Sequence, residues 1–238
     1  MAKSGKKYNE ATQKVDRSRF YSVSEAVKLV KEVSYSSFDG TVELHLRTTL
    51  DPRRADQAIR GVVRLPHGLG RSVRVAVFAA GEAARIAKEA GADYIIADDE
   101  DIQKILNGWT DFDVTIAVPD MMRAVGRLGR VLGPRGLMPT PKTGTVVPEE
   151  DLARVIDETK AGRVEYRLDR SGNIHCPIGK VSFSEEQLMG NMAAIMSTIR
   201  RARPPAAKGL FVRRVTLAPT MGPGVRVDAA EAMALETA

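Results

Sequence analysis

A chain of 238 residues, 43% of them hydrophobic, is long enough to bury one large core or two modest ones. Its 36 Lys and Arg against 30 Asp and Glu give a net charge of +6 and a pI near 9.5, which suits a polyanionic partner, while an aromatic share of 5% excludes a surface built mainly on base-stacking platforms. The single cysteine, Cys176, excludes an intrachain disulfide framework and suits a reducing, cytoplasmic setting, and no apolar run approaches the roughly 18–20 residues that span a bilayer.

Met1 to Tyr8 is basic with no apolar stretch behind it, so it reads as a basic arm, solvated or touching phosphates, and not as a secretory signal. Ser22 to Val33 has apolar residues at helical spacing, with Ser22 or Ser24 as N-cap. Thr41 to Leu50 alternates: Val42, Leu44 and Leu46 face one way, and Thr41, Glu43, His45 and Arg47 the other, as in a half-buried strand. Asp51-Pro52-Arg53-Arg54 is a turn, and Ala58 to Leu65 a second strand.

After Pro66-His67-Gly68-Leu69-Gly70 the texture changes. Strands are expected at Val73–Phe78, Asp93–Ala97 and Phe112–Val118, and helices at Glu82–Ala90, Asp99–Leu106 and Met121 to about Leu128. Short apolar strands alternating with helices imply a parallel sheet covered on both faces. From Val164 the two-fold alternation returns: Val164–Leu168 and Asn173–Ile178 flank Asp169-Arg170-Ser171-Gly172, a hairpin signal. A long helix follows at Glu185–Arg201, then strands at Leu210–Leu217 and Val225–Val227. The expected architecture is an α+β domain split between the termini, residues 1–68 with 160–238, into which a three-layer, Rossmann-like α/β domain of residues 69–159 is inserted.

Charge follows that division. Residues 1–68 hold 13 basic and 8 acidic residues, 160–238 hold 12 and 7, and 69–159 hold 11 and 15. The split lobe therefore carries +10 and the insert −4, and a surplus of that size on one lobe suits contact with phosphates.

The α/β insert invites a test for nucleotide chemistry, which it fails. Its first strand-to-helix turn, Ala79-Ala80-Gly81-Glu82, has one glycine and a carboxylate where a pyrophosphate would sit. Gly172 to Lys180 has the wrong spacing for a phosphate loop. The glycine-rich stretch Gly126 to Gly136, made basic by Arg123, Arg127, Arg130, Arg135 and Lys142, reads as an ordered, turn-rich loop ahead of a second polyanion contact or a surface packed against the other lobe. His45, His67 and His175 are scattered, without the paired short spacing of a zinc site. No serine has a nucleophile-elbow context, and Asp98 to Asp101 reads as a loop entering a helix whose dipole favours acids. An enzyme using the insert and an acidic protein-interaction module on an RNA anchor are the rival readings.

Several strings in one order are more specific. Ser37-Phe38-Asp39-Gly40-Thr41-Val42-Glu43, Asp51 to Gln57, Leu65 to Gly70, Gly108 to Asp113, Leu132 to Pro139, Lys160 to Arg163, Lys208-Gly209 and Thr220-Met221-Gly222-Pro223 together resemble the bacterial form of the large-subunit ribosomal protein one family, over all but about the last ten residues. The resemblance implies the split two-domain fold, a non-enzymatic place in the mobile stalk of the large ribosomal subunit in the cytoplasm, and a grip on large-subunit rRNA. It further implies movement as exit-site tRNA leaves the ribosome, and repression through a similar element in the protein's own-operon mRNA. No cofactor, metal, membrane or homo-oligomer is expected. Carried over by position, the RNA-binding residues are Phe38, Thr41 and Glu43 on the first strand, Asp169 and Arg170 in the hairpin turn, and Thr220, Met221 and Gly222 in the late loop. Hydroxyls and carboxylates suit 2′-hydroxyls, Phe and Met suit riboses or bases, and Gly222 would let the backbone approach RNA closely. Ser37 stands where family members often carry a basic residue.

Overall fold

The computed structural model describes residues 5–207 and 209–236; Met1 to Ser4 of the basic arm, and Lys208, lie outside the described residues. The chain divides into two compact units, Met1–Gly70 with Val164–Ala238, and Arg71–Arg163. With those boundaries the net charges are +8 and −2.

In the first unit, helices α1 (Lys6–Gln13) and α2 (Val23–Glu32) precede strands β1 (Thr41–Thr48) and β2 (Arg60–Arg64). The basic arm is therefore helical from Lys6 onward. Ser22 closes a capping box with Glu25, which stabilises the start of α2 by about 1 kcal/mol. After the second unit the chain returns as β6 (Arg163–Arg167), β7 (Asn173–Lys180), α8 (Glu185–Arg201), β8 (Val212–Pro219), β9 (Val225–Val227) and α9 (Ala229–Ala234). Four strands form one antiparallel sheet in the order β7-β1-β8-β9. Val42, Leu44 and Leu46 of β1, Ile174, Cys176 and Ile178 of β7, and Val215 and Leu217 of β8 point into one core with Val27 and Val30 of α2 and Met192 and Ile195 of α8. The odd-numbered residues of β1 are left on the opposite, open face.

The expected hairpin is corrected. The Asp169 turn forms, but its flanking strands belong to different sheets: β7 pairs with β1, whereas β6 pairs with β2. Gly61 explains the choice, because a Cβ there would lie 2.6 Å from the Tyr166 hydroxyl, so only glycine lets that ring cross β2. Arg60 and Glu165 add an ion pair at 2.7 Å, and Leu168 N–H donates to the Ile59 carbonyl.

The second unit holds β3 (Val75–Phe78), α3 (Glu82–Glu89), β4 (Tyr94–Ile96), α4 (Asp99–Leu106), β5 (Val114–Ala117), α5 (Met122–Arg127), α6 (Gly129–Leu132) and α7 (Glu149–Gly162). Its sheet is parallel, in the order β4-β3-β5. All four residues of β3 are buried: Val75 and Val77 pack against α3 and α7, and Ala76 and Phe78 against α4, α5 and α6. This is the three-layer α/β arrangement. Two expectations need correction here. The stretch after Gly126 is helical through Leu132, so the expected turns are confined to residues 133–136, and Arg127 pairs with Asp99 at 3.2 Å. Helix α7 also occupies a segment in which no element is expected; Leu152, Val155, Ile156 and Thr159 form its buried stripe.

Candidate nucleic-acid interface

The open face of the four-stranded sheet gathers most of the sequence-derived site residues. Thr41, Glu43, His45 and Arg47 stand in a row along β1, spanning about 20 Å at roughly 3.4 Å per residue. One end of this row meets the segments carrying Phe38 and Thr220 to Gly222; the other meets the Asp169 turn.

At the first end, backbone and side chains lock together. Thr220 N–H donates to the Thr41 carbonyl at 2.9 Å. The Thr220 hydroxyl also accepts from Thr41 N–H at 2.8 Å and donates to the Thr41 carbonyl at 3.1 Å. Lys180, opposite Thr41 in β7, donates to the Thr41 hydroxyl at 3.1 Å and to the Asp39 carbonyl at 3.3 Å. The Asp39 carboxylate accepts from the Ser182 hydroxyl at 2.7 Å and its N–H at 3.1 Å, while Ser36 Oγ donates to the Phe38 carbonyl at 2.8 Å. Phe38 is held between these pins with 58% of its surface exposed, and Met221 is 42% exposed. Both are residue types normally found in cores; here each sits outside the core, on backbone that has little freedom to withdraw it.

Gly222 is confined by the chain around it. A Cβ at Gly222 would fall 2.6 Å from Pro219 Cγ and 2.8 Å from the Val33 carbonyl oxygen. The close backbone approach it allows is to the protein's own chain, so the glycine shapes the Met221 loop. The Thr220 hydroxyl is likewise bonded within the chain, to Thr41.

At the other end Asp169 organises the turn. Its carboxylate accepts from Ser171 N–H at 2.8 Å, Asn173 N–H at 2.7 Å and Asn173 Nδ2 at 3.2 Å. Partial burial pushes its pKa up, but these bonds, with one from His175, outweigh burial and hold the carboxyl below the ordinary range. Arg170 is exposed at the tip. Arg47 donates to the Ser171 carbonyl and to Asn173 Oδ1 at 3.2 Å, fixing the turn to β1. The eight candidate residues therefore split into two groups, Phe38, Thr41 and Thr220 to Gly222 at one end and Asp169 with Arg170 at the other, with Glu43 between them.

The sheet also assembles groups that sequence spacing alone does not join. His45 and His175 face each other across β1 and β7 with their Nδ1 atoms 2.8 Å apart. Glu43 lies 3.6 Å from His45 Nε2, and Asp169 lies 3.4 Å from His175 Nε2. Burial, and then the neighbouring His175, hold His45 below the ordinary histidine range, against the pull of Glu43. The signal available in the sequence was the alternation of β1, which sets His45 on the polar face; its partner requires the register. Among the described residues no group of three or more His, Cys, Asp and Glu is arranged to hold a metal.

A basic, mostly polar sheet face with two exposed apolar side chains at one rim has the chemistry of a surface for folded RNA. Residues 30–223 match the model of the ribosomal protein L1p/L10e family. The chain is 58% identical to the large ribosomal subunit protein uL1 of Chloroflexus aurantiacus over 236 residues, covering 99% of this chain and 100% of that protein. It is 59% identical to the protein of the same name from Chloroflexus aggregans over 228 residues, covering 96% of each. A family match over residues 30–223, with relatives 58% and 59% identical over nearly the whole length, leads to one conclusion: this chain belongs to the ribosomal protein L1p/L10e family.

Proposed function

We propose that this chain is a non-enzymatic, cytoplasmic component of the large ribosomal subunit that binds rRNA of the mobile stalk through the open face of its four-stranded sheet. In that role the stalk would assist release of deacylated tRNA from the exit site, and the same face would bind a similar element in the chain's own-operon mRNA and repress its translation. The assignment to the subunit follows from the family and from the names its relatives carry. The observation that carries the RNA reading is the pinned, exposed pair Phe38 and Met221 at the rim of a face that belongs to the basic unit. Apolar side chains fixed in water cost free energy that contact with riboses or bases recovers. The unit formed by residues 1–70 and 164–238 is proposed to hold the RNA site, and the α/β unit to contribute little to it.

The test is the affinity of the full chain for a stalk-rRNA fragment. Met221→Asp is expected to weaken binding by at least tenfold, since it sets a desolvated carboxylate against RNA. Thermal melting should stay within about 2 °C of the parent, because the side chain is exposed. Unchanged affinity at an unchanged melting temperature would remove Met221 from the site.

A further inference from the structure

The open face also carries a cationic feature that neither the Phe38–Met221 rim nor the Asp169 turn accounts for. β1 and β8 pair with Arg47 opposite Arg214, after which the register jumps so that Thr48 faces Val212. Arg213 is therefore the extra residue of a β-bulge. In strict alternation Arg213 would point to the core side with Val215 and Leu217; the bulge turns it outward, so Arg213 and Arg214 are both exposed in succession.

These guanidinium groups gather without neutralisation. Arg47 and Arg214 are like charges directly opposite each other, a placement that destabilises a bare sheet. Among the described residues, neither Arg213 nor Arg214 has an ion-pair partner. Among the described residues Arg47 bonds neutral acceptors alone, the Ser171 carbonyl and Asn173 Oδ1, which fix its direction and leave its charge intact. A shallow cavity of about 520 Å³ opens among them, lined by His45, Arg47, His175, Arg213, Arg214 and Thr216. Arg214 and Thr216 also line an adjoining hollow of about 250 Å³ that adds Arg17 and Arg226. Arg226 lies opposite Thr216 on β9 and donates to the Arg17 carbonyl at 2.8 Å. Carboxylates border the row without pairing to it: Glu43 and Asp169 lie beside the two histidines, and Asp16, which lines the smaller hollow, accepts from Ser18 at 2.6 and 2.9 Å.

We propose that Arg47, Arg213, Arg214 and Arg226 form a phosphodiester-binding track that carries an RNA strand across the sheet from β1 to β9. The track rests on the RNA-binding function proposed above and gives it a second, sequence-independent contact, separate from the Phe38–Met221 rim but on the same face. Guanidinium forks suit phosphate oxygens, and strand-borne positions hold them more rigidly than loops would. The bulge is what provides the extra donor; without it Arg213 could not join the row.

The experiment measures the affinity of the full chain for a stalk-rRNA fragment, and for an unrelated RNA of equal length, across a salt series. Three chains are compared: the parent, Arg213→Gln/Arg214→Gln, and a charge-matched control, Arg200→Gln/Arg201→Gln, altered on α8 at the far side of the sheet. Each lost phosphate contact lowers the steepness of log K against log salt by about 0.7–0.9. The track variant should therefore flatten the slope by between about one and two, and weaken binding roughly tenfold at 0.1 M salt, with the control near the parent. A slope unchanged in the track variant, or changed equally in the control, overturns the track. If the parent shows no preference for the stalk fragment but the track variant still flattens the slope on both RNAs, the track stands and the stalk function falls. If the parent binds neither RNA, both fall. If the parent instead prefers polyglutamate at equal ionic strength, and only that binding is lost in the track variant, the row belongs to an acidic protein and the proposal fails.

Discussion

The Thr220 hydroxyl accepts a hydrogen bond from Thr41 N–H at 2.8 Å and returns one to the Thr41 carbonyl at 3.1 Å, so a side chain reinforces the backbone bond that ends the β1–β8 ladder. This lock sets the departure of the chain toward Met221. Thr220→Val keeps the shape and loses both bonds, so it should cost about 1–2 kcal/mol of stability in urea unfolding. RNA affinity should fall as well, because Met221 is no longer held; Thr220→Ser should restore both. A Val variant with parental affinity would mean that the lock does not position the site.

Gly222 lies one residue beyond Met221 and is confined by Pro219 and the Val33 carbonyl. Gly222→Ala forces the loop away from Val33, at an expected cost of about 1–3 kcal/mol. The same shift moves Met221, so stability and RNA affinity should fall together when thermal melting and filter binding are compared. Loss of affinity alone, with melting unchanged, would indicate that RNA itself packs on Gly222.

How far the sequence reaches is clear from individual elements. β1 is legible because its alternation survives intact, and β3 because an uninterrupted apolar run is what a strand buried on both faces requires. Helix α1 is not, since only Ala11 is buried along it and no apolar stripe marks it. Helix α7 opens on Pro148 and three acids, which resemble a solvated loop, although its buried spacing is regular. The Asp169 turn is local chemistry and was legible, but the partner of β6 is fixed by Tyr166 crossing Gly61, a contact more than 100 residues apart in sequence. At the site, the motif strings mark positions without revealing that Thr220 and Gly222 serve the scaffold. The outward turn of Arg213 depends on one skipped residue in the register, which no periodicity discloses.

The His45–His175 pair makes stability depend on pH. Both Nδ1 atoms cannot carry protons while 2.8 Å apart, and burial already disfavours charge on His45. His45 therefore titrates lower in the folded chain than unfolded, so the unfolded chain binds more protons as pH falls. Stability should be fully present above the ordinary histidine value of about 6.5 and decline below it. Asp169, whose pKa is also lowered, takes effect only beneath the ordinary carboxylate range and does not contribute in this window. Urea midpoints at pH 7.5 and 5.5 should differ in the parent, and His45→Gln should narrow the difference. Equal midpoints in the parent would show that the pair accepts protons without cost.

Cys176 supplies the alkaline counterpart. Its thiol points into the core opposite Leu44, and burial first, then the nearby Glu43 carboxylate, push its pKa up to about 12. The unfolded thiol ionises near its ordinary value of 9.0, so the folded state keeps the proton longer. Stability is unaffected by this group below that value and falls as pH rises from about 9 toward 12. The same burial should block thiol chemistry: an aromatic disulfide reagent at pH 8 should label Cys176 promptly in 8 M urea and at least a hundredfold more slowly in the native chain, where it must await opening of the sheet. Cys176→Ala should abolish the labelling and cost about 1–2 kcal/mol through the small cavity it leaves between β7 and β1. Rapid labelling of the native chain would mean that β7 opens locally, and with it the face proposed to hold RNA.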